Sequence, residues 1–64
     1  MDQKYIDLIF EELVAELTDD LGEEFTRHEV ESYVADAIDD LLGSISREAL
    51  PEMASRLVRC RLAN

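Results

Sequence analysis

A chain of 64 residues makes one domain at most, and a domain this small removes only about 60% of its unfolded surface from water, so a lone monomer is marginal. Cys60 is the one cysteine, which excludes an internal disulfide and leaves helix packing, oligomerisation or a metal to hold the fold. The net charge of -10 repels phosphate backbones and anionic lipid, so neither nucleic acid nor a membrane surface is expected as a partner.

The composition, 47% hydrophobic and 34% charged with two Gly and one Pro, suits a helical globular domain better than a disordered chain. No apolar run approaches the ~20 residues that cross a bilayer. Met1-Asp2-Gln3-Lys4 lacks the basic region and uninterrupted apolar stretch of a secretory leader, so the cytoplasm is the expected compartment. Charge is unevenly spread. Residues 1–50 hold fifteen of the sixteen acids and three basic residues, whereas residues 51–64 set Arg56, Arg59 and Arg61 against Glu52.

The first helix is expected over about residues 2–21. Ile6, Ile9, Phe10, Leu13, Val14, Leu17 and Leu21 recur at steps of three and four. At ~100° per residue they form a face about 140° wide. Glu11, Glu12, Glu16, Asp19 and Asp20 fall mostly opposite, and Gly22 follows the last leucine, where a positive-φ stop is expected.

The second helix, about 27–42, opens on the capping-box pattern Thr26-Arg27-His28-Glu29. Phe25 and Val30 flank it at the spacing of a hydrophobic staple. Val30, Tyr33, Val34, Ala37, Ile38, Leu41 and Leu42 supply the apolar face, and Gly43 closes it.

The third helix is expected over about 47–62. Ser44 and Ser46 both suit an N-cap, and Pro51 suits a first turn, where amides have no intrahelical partner. A helix from Arg47 with a bend and a turn over 45–49 before a helix from Pro51 are both compatible with the pattern. Leu50, Met53, Ala54, Leu57, Val58 and Leu62 line its face, with arginines at the end that the helix dipole favours. Short connections favour antiparallel neighbours. The expected fold is therefore all-α, a single antiparallel three-helix bundle spanning 1–64.

Little in the chain suggests chemistry. His28, the only histidine, sits in the capping box and reads as an exposed first-turn residue. Cys60 lies between two arginines, a setting that would suit a reactive thiol, but a half-buried small residue is the simpler reading, and the chain ends before a phosphatase-type loop and its arginine. The clusters Asp19/Asp20/Glu23/Glu24 and Asp36/Asp39/Asp40 lack calcium-loop spacing, and no Glu-x-x-His of a di-iron bundle occurs. No catalytic residue, metal ligand, cofactor or small-molecule substrate is assigned, and enzyme activity is not expected.

The apolar faces are wider than a monomer needs. That of helix 2 spans roughly 180° and that of helix 3 nearly 200° with Cys60 and Leu62, where a core-facing stripe needs little over 100°. Tyr5 and Leu8 fall outside the main stripe of helix 1. Leu8, Phe10, Tyr33, Met53, Leu57 and Leu62 are the candidate core and interface residues. Arg56, Arg59 and Arg61 are candidates for charge pairing with acidic helices, within one chain or between two.

Leu50-Pro51-Glu52-Met53-Ala54-Ser55-Arg56-Leu57-Val58-Arg59-Cys60-Arg61-Leu62 resembles the closing helix of a bacterial three-helix bundle dimerisation domain. That family occurs N-terminal to low-molecular-weight phosphatase-like arsenate reductases, and sometimes alone. Its closing helix reads roughly Leu-Pro-x-Leu-Ala-x-Arg-x-Ala-Arg-x-x-Leu. Leu50, Pro51, Ala54, Arg56, Arg59 and Leu62 match, with Met53 and Val58 as conservative replacements. Leu-x-x-Glu-Leu after Ile9 and Phe10, and Val30, Val34, Ala37 and Leu41, are similar to the rest in order and spacing. The resemblance implies a homodimer built from helical faces and transfers no catalytic residue. The alternative is a small acidic regulator that docks on a basic protein, such as a DNA-binding protein, by imitating nucleic-acid charge through Glu23, Glu24, Asp36, Asp39 and Asp40.

Overall fold

In a computed structural model, which describes residues 3–63, the chain forms α1 (Gln3–Leu21), α2 (Arg27–Leu41) and α3 (Leu50–Ala63), with no strand among the described residues. The expected first residue of helix 1, Asp2, lies outside the described residues, as do Met1 and Asn64. The domain is all-α.

The helix ends at the two connections have identifiable causes. Gly22 takes a φ of 62°, and its amide donates to the Thr18 carbonyl at 3.1 Å, closing α1. At the start of α2 the Thr26 hydroxyl accepts from the Glu29 amide at 3.1 Å. The Glu29 carboxylate accepts in return from the Thr26 amide at 3.0 Å. Two amides with no intrahelical partner are thereby satisfied. Phe25 packs against the core beside this cap, and Val30 is fully buried.

Two boundaries differ from the periodicity. Helix 2 stops at Leu41 because Leu42 adopts extended backbone (φ -60°, ψ 129°), although its amide still donates to the Ile38 carbonyl at 3.0 Å. Helix 3 starts at Leu50 rather than at residue 47. Residues 47–49 form a tight turn in which the Ala49 amide donates to the Ser46 carbonyl at 3.2 Å and the Leu50 amide to the Arg47 carbonyl at 3.3 Å. Pro51 explains the shift. It has no amide to give the Arg47 carbonyl four residues earlier, and its ring crowds that oxygen. Besides the Leu50 amide, the Arg47 carbonyl accepts from the Tyr5 hydroxyl at 2.7 Å, and the Arg47 guanidinium lies 4.6 Å from the Tyr5 ring centroid. The connection after α2 therefore covers 42–49, and one of its carbonyls is tied to α1.

The core consists of Ile9, Leu13, Val14 and Leu17 from α1, Val30, Val34, Ala37 and Ile38 from α2, and Leu50, Ala54 and Val58 from α3. No polar or charged residue is buried among the described residues. Tyr5, Phe10, Phe25, Leu57 and Leu62 are half-buried and pack at its margin. Tyr5 is thus a packed and hydrogen-bonded residue, although it falls outside the apolar stripe of its helix. The hydroxyl oxygen of Thr18 is buried with no hydrogen-bond partner.

Two threonines give opposite expectations. Thr26→Ala removes the cap and costs about 1 kcal/mol, which lowers the melting temperature by roughly 4–8 °C in a domain of this size. Thr18→Val removes an unsatisfied buried hydroxyl at nearly constant volume and raises the melting temperature by a similar amount, since such a group costs about 1–3 kcal/mol. Thermal melts by circular dichroism read both.

Candidate functional site

Several large apolar side chains lie on the surface of the domain rather than in its core. Of the six core and interface candidates, none is fully buried. Leu8 is 58% exposed, Met53 39% and Tyr33 37%, while Phe10, Leu57 and Leu62 are half-buried against the core. These are large apolar side chains; single ones are ordinary on a surface, and only those that adjoin would make a patch.

Helical spacing places them. The Ile6 and Phe10 side of α1 meets Ala35, Ile38 and Leu42 of α2 in an open groove edged by Asp7 and Asp39. The Ile9 and Leu13 side of α1 meets Pro51 and Ser55 of α3 in a second groove, edged by Glu12, Glu16 and Arg56. At ~100° per residue, Tyr33 and Asp40 lie on the flank of α2 away from α1, and Met53, Leu57 and Cys60 on the flank of α3 away from α1. The pairing of Asp40 with Arg61 shows that these two flanks adjoin. Leu8 stands apart, on the outer side of α1 beside Lys4, Asp7 and Glu11.

The three arginines of α3 divide their charge. Arg59 reaches α1, where it pairs with Asp20 and approaches Glu16 at 3.9 Å. Arg61 pairs with Asp40 of α2, and Arg56 stays on its own helix with Glu52 at 3.2 Å. Arg27 pairs with Glu31, Arg47 sits over Tyr5, and Lys4 is also engaged. All six basic side chains thus have interactions within the chain, while Glu23, Glu24, Asp36, Asp39 and Asp40 are exposed.

Side chains capable of chemistry are not gathered into one place. His28 is exposed in the first turn of α2. Cys60 is exposed on α3, not half-buried as the width of the apolar face suggests, because its position falls beyond the edge of the core-facing stripe. Its neighbours Arg59 and Arg61 are drawn to carboxylates on other helices. Among the described residues no group of three or more His, Cys, Asp or Glu is placed to hold a metal ion, and no helix is long and apolar enough to cross a membrane. Comparison with protein-family models, with curated proteins and with solved structures finds no match.

The exposures make a direct prediction. At a dilution that keeps the chain monomeric, Leu8→Ser and Met53→Ser each change the unfolding free energy by less than about 0.5 kcal/mol. Leu17→Ala, at a fully buried position, costs about 2–5 kcal/mol and leaves little folded protein. Urea titrations measure all three, and a Leu8 loss comparable to that at Leu17 would show Leu8 to be a core residue.

Proposed function

We propose that this chain is a non-catalytic interaction module that pairs with a second copy of itself through apolar helix faces, each copy an antiparallel three-helix bundle. The observation that carries this reading is the exposure of Leu8, Tyr33 and Met53 on a domain whose interior is filled by small and medium aliphatic side chains alone. A core of that size leaves a short chain marginal, and association is one of the few remaining sources of stability. Contacts at both ends of α1, Tyr5 with Arg47 before α3 and Asp20 with Arg59 near the end of α3, support α1 and α3 running in the same sense, as an up-down-up bundle requires. The Asp40–Arg61 pair between the last turns of α2 and α3 calls for α3 to cross α2 at an angle. The similarity of the Leu-Pro-x-x-Ala-x-Arg-x-x-Arg segment to the closing helix of a bacterial dimerisation domain points the same way. A bacterial cytoplasm is the setting that goes with it.

A second reading is favoured by charge. With all six basic side chains already engaged internally, the surplus carboxylates face solvent and suit a basic protein partner. In that case the isolated chain is a monomer that binds in a salt-sensitive way through Glu23, Glu24, Asp36, Asp39 and Asp40.

Sedimentation equilibrium over a wide concentration range, at low and high salt, separates the two. A dimer that survives high salt is the expected outcome, because apolar association persists under screening while repulsion between two copies of charge -10 weakens. A monomer under every condition overturns self-association and directs the search to basic partners. Leu57→Asp is expected to split the dimer or unfold the domain, and an unchanged mass with an unchanged melting point counts against the proposal.

A further inference from the structure

Of the apolar surfaces available, one combines large exposed side chains with complementary charge. We infer that two copies meet along the seam between α2 and α3, with α3 of each copy lying across α2 of the other and α1 left on the outside. This rests on the self-association proposed above and adds which face performs it.

The seam carries Tyr33 from α2 and Met53 and Leu57 from α3, whose positions share the flanks directed away from α1. Its two sides differ in sign. On the flank with Tyr33, α2 carries Glu29, Asp36 and Asp40, whereas α3 carries Arg61, already paired with Asp40 of its own chain, and Arg56 at the edge. Asp39 and Arg59 face α1 and take no part. In a twofold arrangement whatever one copy offers the other returns, so α3 on α2 occurs twice and both contacts join opposite charges. Arg56 has the freedom to take part. Its partner Glu52 lies one turn away on the same helix, and both side chains are more than two-thirds exposed, so the pair exchanges at little cost. The outer face of α1 has the opposite character. Leu8 stands there among Asp7, Glu11 and Glu12 with Lys4 as the one basic neighbour, and Asp19 lies further along the same side. Two copies joined through α1 would bring these carboxylates together, which disfavours that face for a second copy.

Cys60 provides a probe that needs no substitution. It is exposed in the single chain and lies on the α3 flank with Met53 and Leu57, so pairing along the seam covers it. The test follows the alkylation rate of Cys60 by iodoacetamide while the protein concentration is raised through the dimerisation midpoint found by sedimentation. The expected rate falls in step with the monomer fraction. Met53→Glu and Tyr33→Glu, each placed twice in the interface, are expected to raise the dissociation constant about 30-fold or more, while Leu8→Glu leaves the dimer paired. Circular dichroism of the dilute variants verifies that the exposed substitutions leave the helices folded. A dimer whose Cys60 reacts at the monomer rate, or one split by Leu8→Glu but not by Met53→Glu and Tyr33→Glu, overturns the seam and leaves self-association standing. A wild-type chain that is monomeric at every concentration overturns self-association itself, and the seam with it.

Discussion

Aliphatic packing alone closes the interior of this domain. Leucine, isoleucine, valine and alanine from three helices fill it, and all four aromatic rings lie at or outside its margin: Tyr5, Phe10 and Phe25 half-buried and Tyr33 more open. Burial of a leucine- or valine-sized side chain contributes about 1.5–3 kcal/mol, and ordering each residue of the backbone costs about 1–2 kcal/mol. With so few fully enclosed side chains, the margin cannot be a passive coat. Phe10, Phe25, Leu57 and Leu62 extend the apolar surface outward, and a partner that covers this rim adds to the same hydrophobic term that holds the helices together.

The charge distribution acts in the opposite direction. A net charge of -10 on 64 residues favours expansion and resists association, and internal pairing softens it where the helices meet. Arg59 neutralises carboxylates of α1 and Arg61 one of α2, so the basic segment of the sequence becomes the element that docks on both acidic helices. Each such pair is exposed and contributes at most about 1 kcal/mol, so it guides how α3 sits more than it holds α3 in place. The carboxylates beyond their reach remain on the surface.

Proline 51 shows how a local rule acquires a tertiary consequence. By denying its own amide to the Arg47 carbonyl it delays α3, and that carbonyl accepts from the Leu50 amide and from the Tyr5 hydroxyl. The turn before α3 is thereby fixed to the first helix, with the Arg47 guanidinium over the same ring. One imino acid thus sets a helix start and helps to locate the third helix relative to the first.

What the sequence by itself determined was the helical class, the existence of three helices and the chemistry of their ends. The three- and four-residue spacing, the Thr26–Glu29 cap and the positive-φ positions of Gly22 and Gly43 are local, and local rules are written in neighbouring residues. The start of α3 was legible only as two alternatives, because the turn before it is held both locally, by the Leu50 amide on the Arg47 carbonyl, and by the Tyr5 hydroxyl, 42 positions away, on the same oxygen. Only the tertiary structure decided which apolar residues close the core and which face outward. Leu57 and Met53 look alike in periodicity, yet one is half-buried and the other open, and Cys60 is exposed. Periodicity gives a direction around one helix axis. Enclosure depends on how far the neighbouring helices extend over that direction, and that is a property of the packed assembly.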